Sequence, residues 1–548
     1  MKKTIDNIRK SIRFLDIKKS KIFIIVIIGI ISSLVYAIIP TINGLIINNI
    51  LKLNYSKIIV FAIIAGIFQM IVTFCNYLVN KNYFRLKENL TLNMRKELCN
   101  SLMNLNSSSY SDEGLGKLLN KIKKDSNVIA SFFYDMKEGF LSLIFSIGII
   151  IYMIYLNYII GIYYIIVILI SIFIRYIGVK KSIIYKKISI DESDLNDNNL
   201  SQMINGQKDI KVNNLKEKLL RKNDLQLKKI SDSTYQSNYS NELYSSLANF
   251  SESFFSGIMV ILSIFLLQND LLTTEVFVII FMYRGTVFLF PKKFAITLNE
   301  TEKFNISVDR VYSILNAQSE NYGHLDVKVN GDIKFNNVSF YYKSNAIILD
   351  NLSFLINKNT LTIIIGKNGI GKSTILNLID KVIVPVKGNI MIDNYPLNDL
   401  SEKSIRENIV LITQQPYLFN VSIYENLSLV SNDKKKIIDT CKMVGIHDKI
   451  MSFPDGYQTK IGSDACRLSG GEKQKIAIAR ALLSNAKILL LDEITNNLDQ
   501  DSTISITNLI CRLKKKYTII MVTHNKDILD KADQIIEIKN AKKIVVKK

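Results

Sequence analysis

Two uninterrupted apolar stretches, Ile22 to Ile39 (IFIIVIIGIISSLVYAII) and Ile58 to Val79 (IIVFAIIAGIFQMIVTFCNYLV), are each long enough to cross a hydrocarbon core as a helix. In lipid every backbone polar group needs an internal partner, so these runs commit the N-terminal part of the chain to membrane helices. From Gly139 to Ile174 a further 36 residues carry no formal charge. That is roughly twice one crossing, interrupted only at Leu156-Asn157-Tyr158, and it reads as a hairpin of two spans. Ser253 to Gln268 and Val276 to Phe290 bring the number of expected spans to six. Arg284 falls inside the last. It costs about 2.5 to 3.5 kcal/mol, while roughly ten apolar residues return about 3 to 6, so the span is expected to hold. Arg284 should then face protein or a water-filled cavity, either paired with a carboxylate in the bundle, the favoured reading, or contacting an anionic group of a substrate. Pro40 and Pro291 lie by the first and sixth spans and are expected to kink them.

The formal charge of +22 raises the question of nucleic acid, but the positions of the basic residues answer it. Eight Lys or Arg precede the first span, and the loops at 80–138 and 175–252 are lysine-rich, whereas the turns near 156 and 270 contain none. This asymmetry puts the N-terminus, both long loops and the C-terminal half on the cytoplasmic side, near anionic headgroups, with no nucleic-acid partner. A basic start followed by Ile22 to Leu34 and Val35-Tyr36-Ala37 also resembles a cleaved signal peptide, but its basic segment is long for that role and five more spans follow. Five scattered cysteines and three distant histidines exclude a disulfide scaffold and a zinc cluster.

After about Asn321 short apolar runs alternate with polar turns. LTIIIGKNGIGKST combines a strand, a glycine loop and a helix start, the context that makes GxxxxGKS specific. Gly366, Gly369 and Gly371, with Lys367, Asn368 and Ile370 between them, let backbone N–H groups surround phosphates. Lys372 reaches the β- and γ-phosphates, Ser373 offers its hydroxyl to Mg²⁺, and Thr374 follows in the helix. The strand KILLLDE ends in Asp492, placed to hold Mg²⁺, and Glu493, placed to polarise an attacking water. YTIIMVTHN delivers His524 at another strand end, and LITQQPYLF delivers Gln414, able to touch both metal and water. A second glycine motif, Leu468-Ser469-Gly470-Gly471-Glu472, opens another helix; a capping serine explains Ser469 but not the glycine pair in this order.

In combination these residues resemble the ATP-binding-cassette (ABC) exporter half-transporters. The phosphate loop, Gln414, the LSGGE signature at 468–472, LLLDE with Asp492 and Glu493, NNLD ending in Asp499, and His524 occur in the family's order. The resemblance implies a polytopic α-helical membrane domain of six transmembrane helices, residues 1–320. An α/β P-loop ATP-binding cassette with a helical subdomain follows, residues 321–548. It also answers why one chain carries two phosphate grips. In this family two cassettes dimerise head to tail, and the signature of one caps the ATP held by the phosphate loop of the other. Tyr342 matches the aromatic that stacks on adenine, although a strand aromatic can equally serve packing. Short coupling helices are implied near Asn106 to Glu113 and Asn205 to Asn213, docking close to Gln414 and Phe419 of the cassettes. Three departures stand out: Ser463 in TKIGSDA replaces a glutamate, NNLD replaces the commoner SALD, and NKNT at Asn357 to Thr360 lacks the usual Gly-Glu turn. None removes a catalytic group.

The expected function is therefore ATP- and Mg²⁺-dependent export across the cytoplasmic membrane, in a bacterium, by a homodimer or heterodimer of such chains. The substrate is a peptide, an amphipathic drug or a lipid. No room precedes Ile22 for a leader-cleaving peptidase, so an exporter of that design is not expected. An ATP-gated channel or membrane sensor would use the same architecture. A soluble ABC ATPase acting on ribosomes or DNA would lack the six spans, and the DNA-repair type needs a long coiled coil that the interval from Lys372 to Ser469 cannot hold.

Overall fold

The computed structural model describes residues 2–15, 19–105, 121–317, 320–342, 347–462, 468–496, 498–541 and 543–547. These residues form two compact units, one ending at residue 317 and one beginning at 320.

The first unit is helical: α1 Lys2–Ile12, α2 Lys19–Leu51, α3 Tyr55–Met103, α4 Ser126–Leu156, α5 Tyr158–Asn205, α6 Gln207–Val212, α7 Lys216–Gln268, α8 Thr274–Tyr283 and α9 Leu289–Leu315. Six stretches among the described residues are long and apolar enough to cross a membrane, at Phe23–Leu51, Tyr55–Met103, Ile122–Leu156, Tyr158–Asn205, Lys216–Gln268 and Thr274–Leu315. Along α3 the side chains of Ile59, Ile63, Ile67, Met70 and Phe74 recur at helical spacing and stay exposed, a surface that suits lipid and not water. With 49 and 53 residues, α3 and α7 extend to roughly 75 and 80 Å at 1.5 Å per residue. That is more than twice a hydrocarbon core of about 30 Å, so the charged half of each helix continues beyond it.

The polar break expected between the third and fourth spans is a single residue. Asn157 leaves the helix and its Oδ1 accepts from the backbone of Ile159 and Ile160 at 3.1 and 3.4 Å, while its Nδ2 donates to Leu271 O at 3.3 Å. At the sixth span the kink expected beside Pro291 is a break between two helices. α8 stops at Tyr283, Thr286–Phe288 forms a 3₁₀ turn, and α9 starts at Leu289. Pro291 supplies the reason, since its ring clashes with the carbonyl four residues back, at Val287, and it donates no N–H. Arg284 caps α8 on the exposed surface of the chain with its guanidinium 4.2 Å from the Phe281 ring centre; no carboxylate among the described residues pairs with it, contrary to the favoured expectation. Pro40, by contrast, lies inside an unbroken α2.

A buried ion pair that no sequence pattern announces ties α5 to α7. Arg175 donates to Glu252 at 2.9 Å, Asn249 at 2.7 Å and Ser245 at 3.1 Å, with both charged side chains 5% exposed. Three residues on, Gly178 is needed for close approach, because a Cβ there would come within 2.4 Å of Tyr244 Cβ. The Asn205–Asn213 segment contains the short helix α6 between α5 and α7. Asn106 to Glu113 lies outside the described residues.

The second unit is built on two sheets. Its strands are β1 Ile333–Tyr341, β2 Ile347–Ile356, β3 Leu361–Gly366, β4 Lys387–Ile392, β5 Tyr395–Pro396, β6 Ile409–Ile412, β7 Ile488–Asp492, β8 Thr518–Val522, β9 Gln534–Asn540 and β10 Lys543–Lys547. An antiparallel sheet has order β2-β1-β4-β5; the larger sheet has order β10-β9-β3-β8-β7-β6 and is parallel except at β10. Continuous runs such as LTII and ILLL are buried on both faces of the larger sheet, as a parallel sheet covered on both sides requires. Helices α10 Lys372–Ile379, α11 Gly470–Leu483 and α12 Gln500–Leu513 pack on it. The short helices at Ile423–Ser428, Lys434–Val444 and His447–Met451 join α11 through Leu427, Ile437, Cys441, Ile450 and Ile476, giving a helical subdomain. In the NKNT segment Asn359 takes the left-handed φ of +54° that a glycine would otherwise supply, and its N–H donates to Thr518 Oγ1 at 3.0 Å.

Candidate nucleotide site

Strands β3, β7 and β8 run parallel in register, with Ile364 beside Val522 and Val522 beside Asp492, so their C-terminal ends open onto one edge of the sheet. Open α/β sheets bind ligands at such an edge. Gly366 closes β3, and the loop reaches α10 through Gly369 and Gly371, whose φ of +77° and +106° lie in the region L-residues avoid. A Cβ on Gly371 would also come within 2.8 Å of Ile348. Ile370 packs against the apolar core and Thr374 is buried, while Lys367 and Asn368 remain exposed on the loop.

Lys372 begins α10 and is only 6% exposed. Its Nζ donates to Gly366 O at 2.9 Å, to Lys367 O and Asn368 Oδ1 at 3.4 Å, and lies 3.1 Å from His524 Nε2. An ammonium only donates, so Nε2 of His524 accepts and the ring proton belongs on Nδ1. Ser373 Oγ donates to Asp492 Oδ1 at 3.1 Å. Lys372, Ser373, Asp492 and Glu493 line a cleft of about 390 Å³ together with Tyr342 and Gln414. Tyr342 is exposed and meets Phe340 edge-on at 4.9 Å between ring centres.

Burial pushes the Asp492 carboxyl above its ordinary range, more than the Ser373 hydrogen bond and Lys372 lower it. A nearby cation would restore the charged form. The hard oxygen donors of Ser373 and Asp492, beside the Gln414 amide, suit Mg²⁺. When bound, that ion would spread phosphate charge and orient the phosphates.

Glu493 follows Asp492 at the strand end with φ +49°, a left-handed conformation uncommon for such a residue. Its N–H donates to Val522 O at 3.0 Å, and its Oε2 accepts from Asn496 Nδ2 at 2.7 Å. In the sequence Asn496 stands out only as a departure from SALD; the signal available there is its position one turn after Glu493.

The signature segment does not line this cleft. Leu468 is buried, Ser469 caps α11 by accepting from Glu472 N at 3.2 Å, and Glu472 Oε2 accepts from Ser469 N at 2.8 Å. This reciprocal capping box satisfies two helix-start donors. Lys449 holds the other Glu472 oxygen at 3.3 Å. Gly471 faces Ser502, whose Oγ a Cβ would approach to 3.2 Å, whereas Gly470 is exposed with open space beside it. Further along α11, Gln474 Nε2 donates to Gln414 O at 2.6 Å, tying the signature helix to the glutamine loop, a tether that no sequence motif marks. Asp499 caps α12 through Ser502 N at 3.0 Å, and hydrogen bonding from Ser502 holds its carboxyl below the usual range. Phe419 is exposed. Ser463 and Asn497 lie outside the described residues.

Residues 349–496 match the family model described as ABC transporter, and residues 22–291 match the ABC transporter transmembrane region. The alpha-hemolysin translocation ATP-binding protein HlyB of Escherichia coli is 37% identical over 246 residues, covering 44% of this chain and 35% of the relative. The ATP-dependent lipid A-core flippase of Saccharophagus degradans is 37% identical over 240 residues, 43% of this chain and 41% of the relative. Multidrug resistance protein pgp-1 of Caenorhabditis elegans is 36% identical over 245 residues, 43% of this chain and 18% of the relative. The match to the HlyB and flippase relatives thus spans well under half of each. With a transmembrane-region match and an ATP-binding-domain match succeeding one another in one polypeptide, this chain belongs to the ABC transporters.

Proposed function

We propose that the chain is one half of an ATP-driven exporter, in which two copies form a homodimer and each copy completes the other's ATP site. The observation that carries this reading is the split within one chain. Lys372, Ser373, Asp492, Glu493 and Gln414 share a cleft, while Ser469 and Gly470 sit at the start of α11 and do not line it. A phosphate held in that cleft is served on one side only, and the exposed glycine with its helix N-terminus is the matching second side, supplied by another cassette. Heterodimerisation with a related chain would use the same geometry.

In this reading backbone N–H groups of residues 367–372 and the Lys372 ammonium hold the phosphates, and Tyr342 offers a face to the adenine. Asp492, Ser373 and Gln414 provide the oxygens for Mg²⁺. Glu493 takes a proton from the attacking water, and His524 holds the terminal phosphate by donating from Nε2, which requires Lys372 Nζ to turn from the ring to the phosphates and the ring proton to move to Nε2. ATP favours the closed pair of cassettes because it touches both; hydrolysis removes that differential affinity and lets them part. The cycle moves the membrane helices between inward- and outward-open forms, with α1 and the cassette on the cytoplasmic side of a bacterial cytoplasmic membrane. A peptide, an amphipathic drug or a lipid is the cargo class, and Arg284, exposed on this chain, is a candidate contact for an anionic group.

The test is ATP-dependent uptake into inside-out vesicles, with a panel of peptides, amphipathic cations and lipids. Uphill accumulation that disappears in Glu493→Gln is expected. Equilibration without accumulation would show a channel.

A further inference from the structure

We propose that Asn496 is the positioning residue for the Glu493 carboxylate, holding Oε2 so that Oε1 alone is presented to water. The inference rests on the reading of Glu493 as the base and goes beyond it.

Glu493 is fixed at its backbone and would otherwise be free at its side chain. Its N–H donates to Val522 O at 3.0 Å, which locks the residue to the end of β8, and its φ of +49° turns the chain sharply out of the strand. That turn is closed by Asn496 N donating to Glu493 O at 3.0 Å. The same residue then reaches back with its side chain, Asn496 Nδ2 donating to Glu493 Oε2 at 2.7 Å. Nearby, Thr495 Oγ1 lies 3.4 Å from Thr523 Oγ1, so the turn is also anchored to the residue preceding His524. One residue thus fixes both the turn and the carboxylate.

The chemistry follows from what an amide can do. Asn is neutral and donates without being able to take the proton, so it holds the carboxylate oxygen and does not compete as a base. A glutamate has three side-chain torsions, and holding one oxygen removes most of their freedom before the reaction begins.

The test uses the full-length protein in lipid nanodiscs, with ATP as the probe, comparing wild type with Asn496→Ala, the isosteric Asn496→Asp and Glu493→Gln. The expected result for Asn496→Ala is a fall of roughly tenfold in kcat with KM for ATP within about twofold, a split that a general loss of site structure would not give. Asn496→Asp keeps the volume but replaces the donor by a like charge, so kcat falls at least as much while KM for ATP again stays within about twofold. Wild-type kcat in both Asn496 variants, or a loss that lies in KM and not in kcat, with Glu493→Gln inactive, overturns the positioning role and leaves the base assignment standing. An active Glu493→Gln overturns the base assignment itself.

Discussion

Lys372 Nζ and His524 Nε2 are 3.1 Å apart, although the residues stand 152 positions from one another, one at the start of α10 and the other just past the end of β8. Because the ammonium only donates, Nε2 is the acceptor in this contact. Lys372 also binds three loop oxygens, so its removal disturbs the loop, whereas the place proposed for His524 is at the reacting phosphate. Lys372→Ala is expected to weaken ATP binding by more than tenfold and abolish turnover. His524→Ala is expected to leave binding within about threefold and to lower turnover at least tenfold. Equilibrium nucleotide binding and phosphate release on both variants check this pair; equal loss of binding in the two would refute the division of roles.

Two defects that fall in different parts of a composite site should complement one another. Chains carrying Lys372→Ala and chains carrying Ser469→Arg are each expected to be inactive alone. Co-assembled, the mixed dimer confines both lesions to one site and restores the other, so ATPase activity reappears. Its absence in verified mixed dimers would exclude sites shared between chains.

Asp380 provides a pH signature of cassette stability. Burial pushes its carboxyl from 3.8 up to about 6, only partly countered by Arg406 at 3.0 Å. The native state therefore holds this proton more tightly than the unfolded chain does. The group's stabilising contribution is full below pH ~4 and is lost as pH rises through ~6, amounting to about 3 kcal/mol at most. Asp380→Asn should remove that component: the stability difference between variant and wild type grows in favour of the variant from pH 4.5 to 7. Thermal unfolding followed by circular dichroism at both pH values reads it, and a difference independent of pH would contradict the assignment.

The buried pair Arg175–Glu252 predicts non-additivity. Arg175→Met leaves a carboxylate 5% exposed without its main partner, at a cost of about 3 to 5 kcal/mol, while Arg175→Met with Glu252→Leu removes both charges and should recover much of the loss. Thermal unfolding of the single and double variants in detergent is the measurement. A double variant less stable than the single would show that the pair contributes net stability.

What the sequence discloses is what is local in it. Long apolar runs mark helices because a bilayer leaves the backbone no other choice, and the glycine loop declares itself by spacing within nine residues. The inner ends of the helices are invisible, since beyond the apolar run α5 and α7 are charged and no period separates such a helix from a loop. Arg175 gives no signal because it stands one residue after the charge-free run ends at Ile174. Pro291 announces a kink in the sixth span, but not that the helix stops at Tyr283 and restarts only at Leu289, because the apolar stretch between them carries no mark of a break. In the cassette, strand order and the meetings of Lys372 with His524 and Gln474 with Gln414 depend on tertiary folding, which no local pattern encodes.

The length of α5 has a mechanical consequence. If the Arg175–Glu252 junction serves as pivot, about 25 Å of the helix lies toward Asn157 and about 45 Å toward Gly206. It is a lever with the longer arm on the side of α6. A displacement of about 5 Å at Gly206 therefore reaches Asn157 as about 3 Å, in the opposite direction and with proportionately greater force.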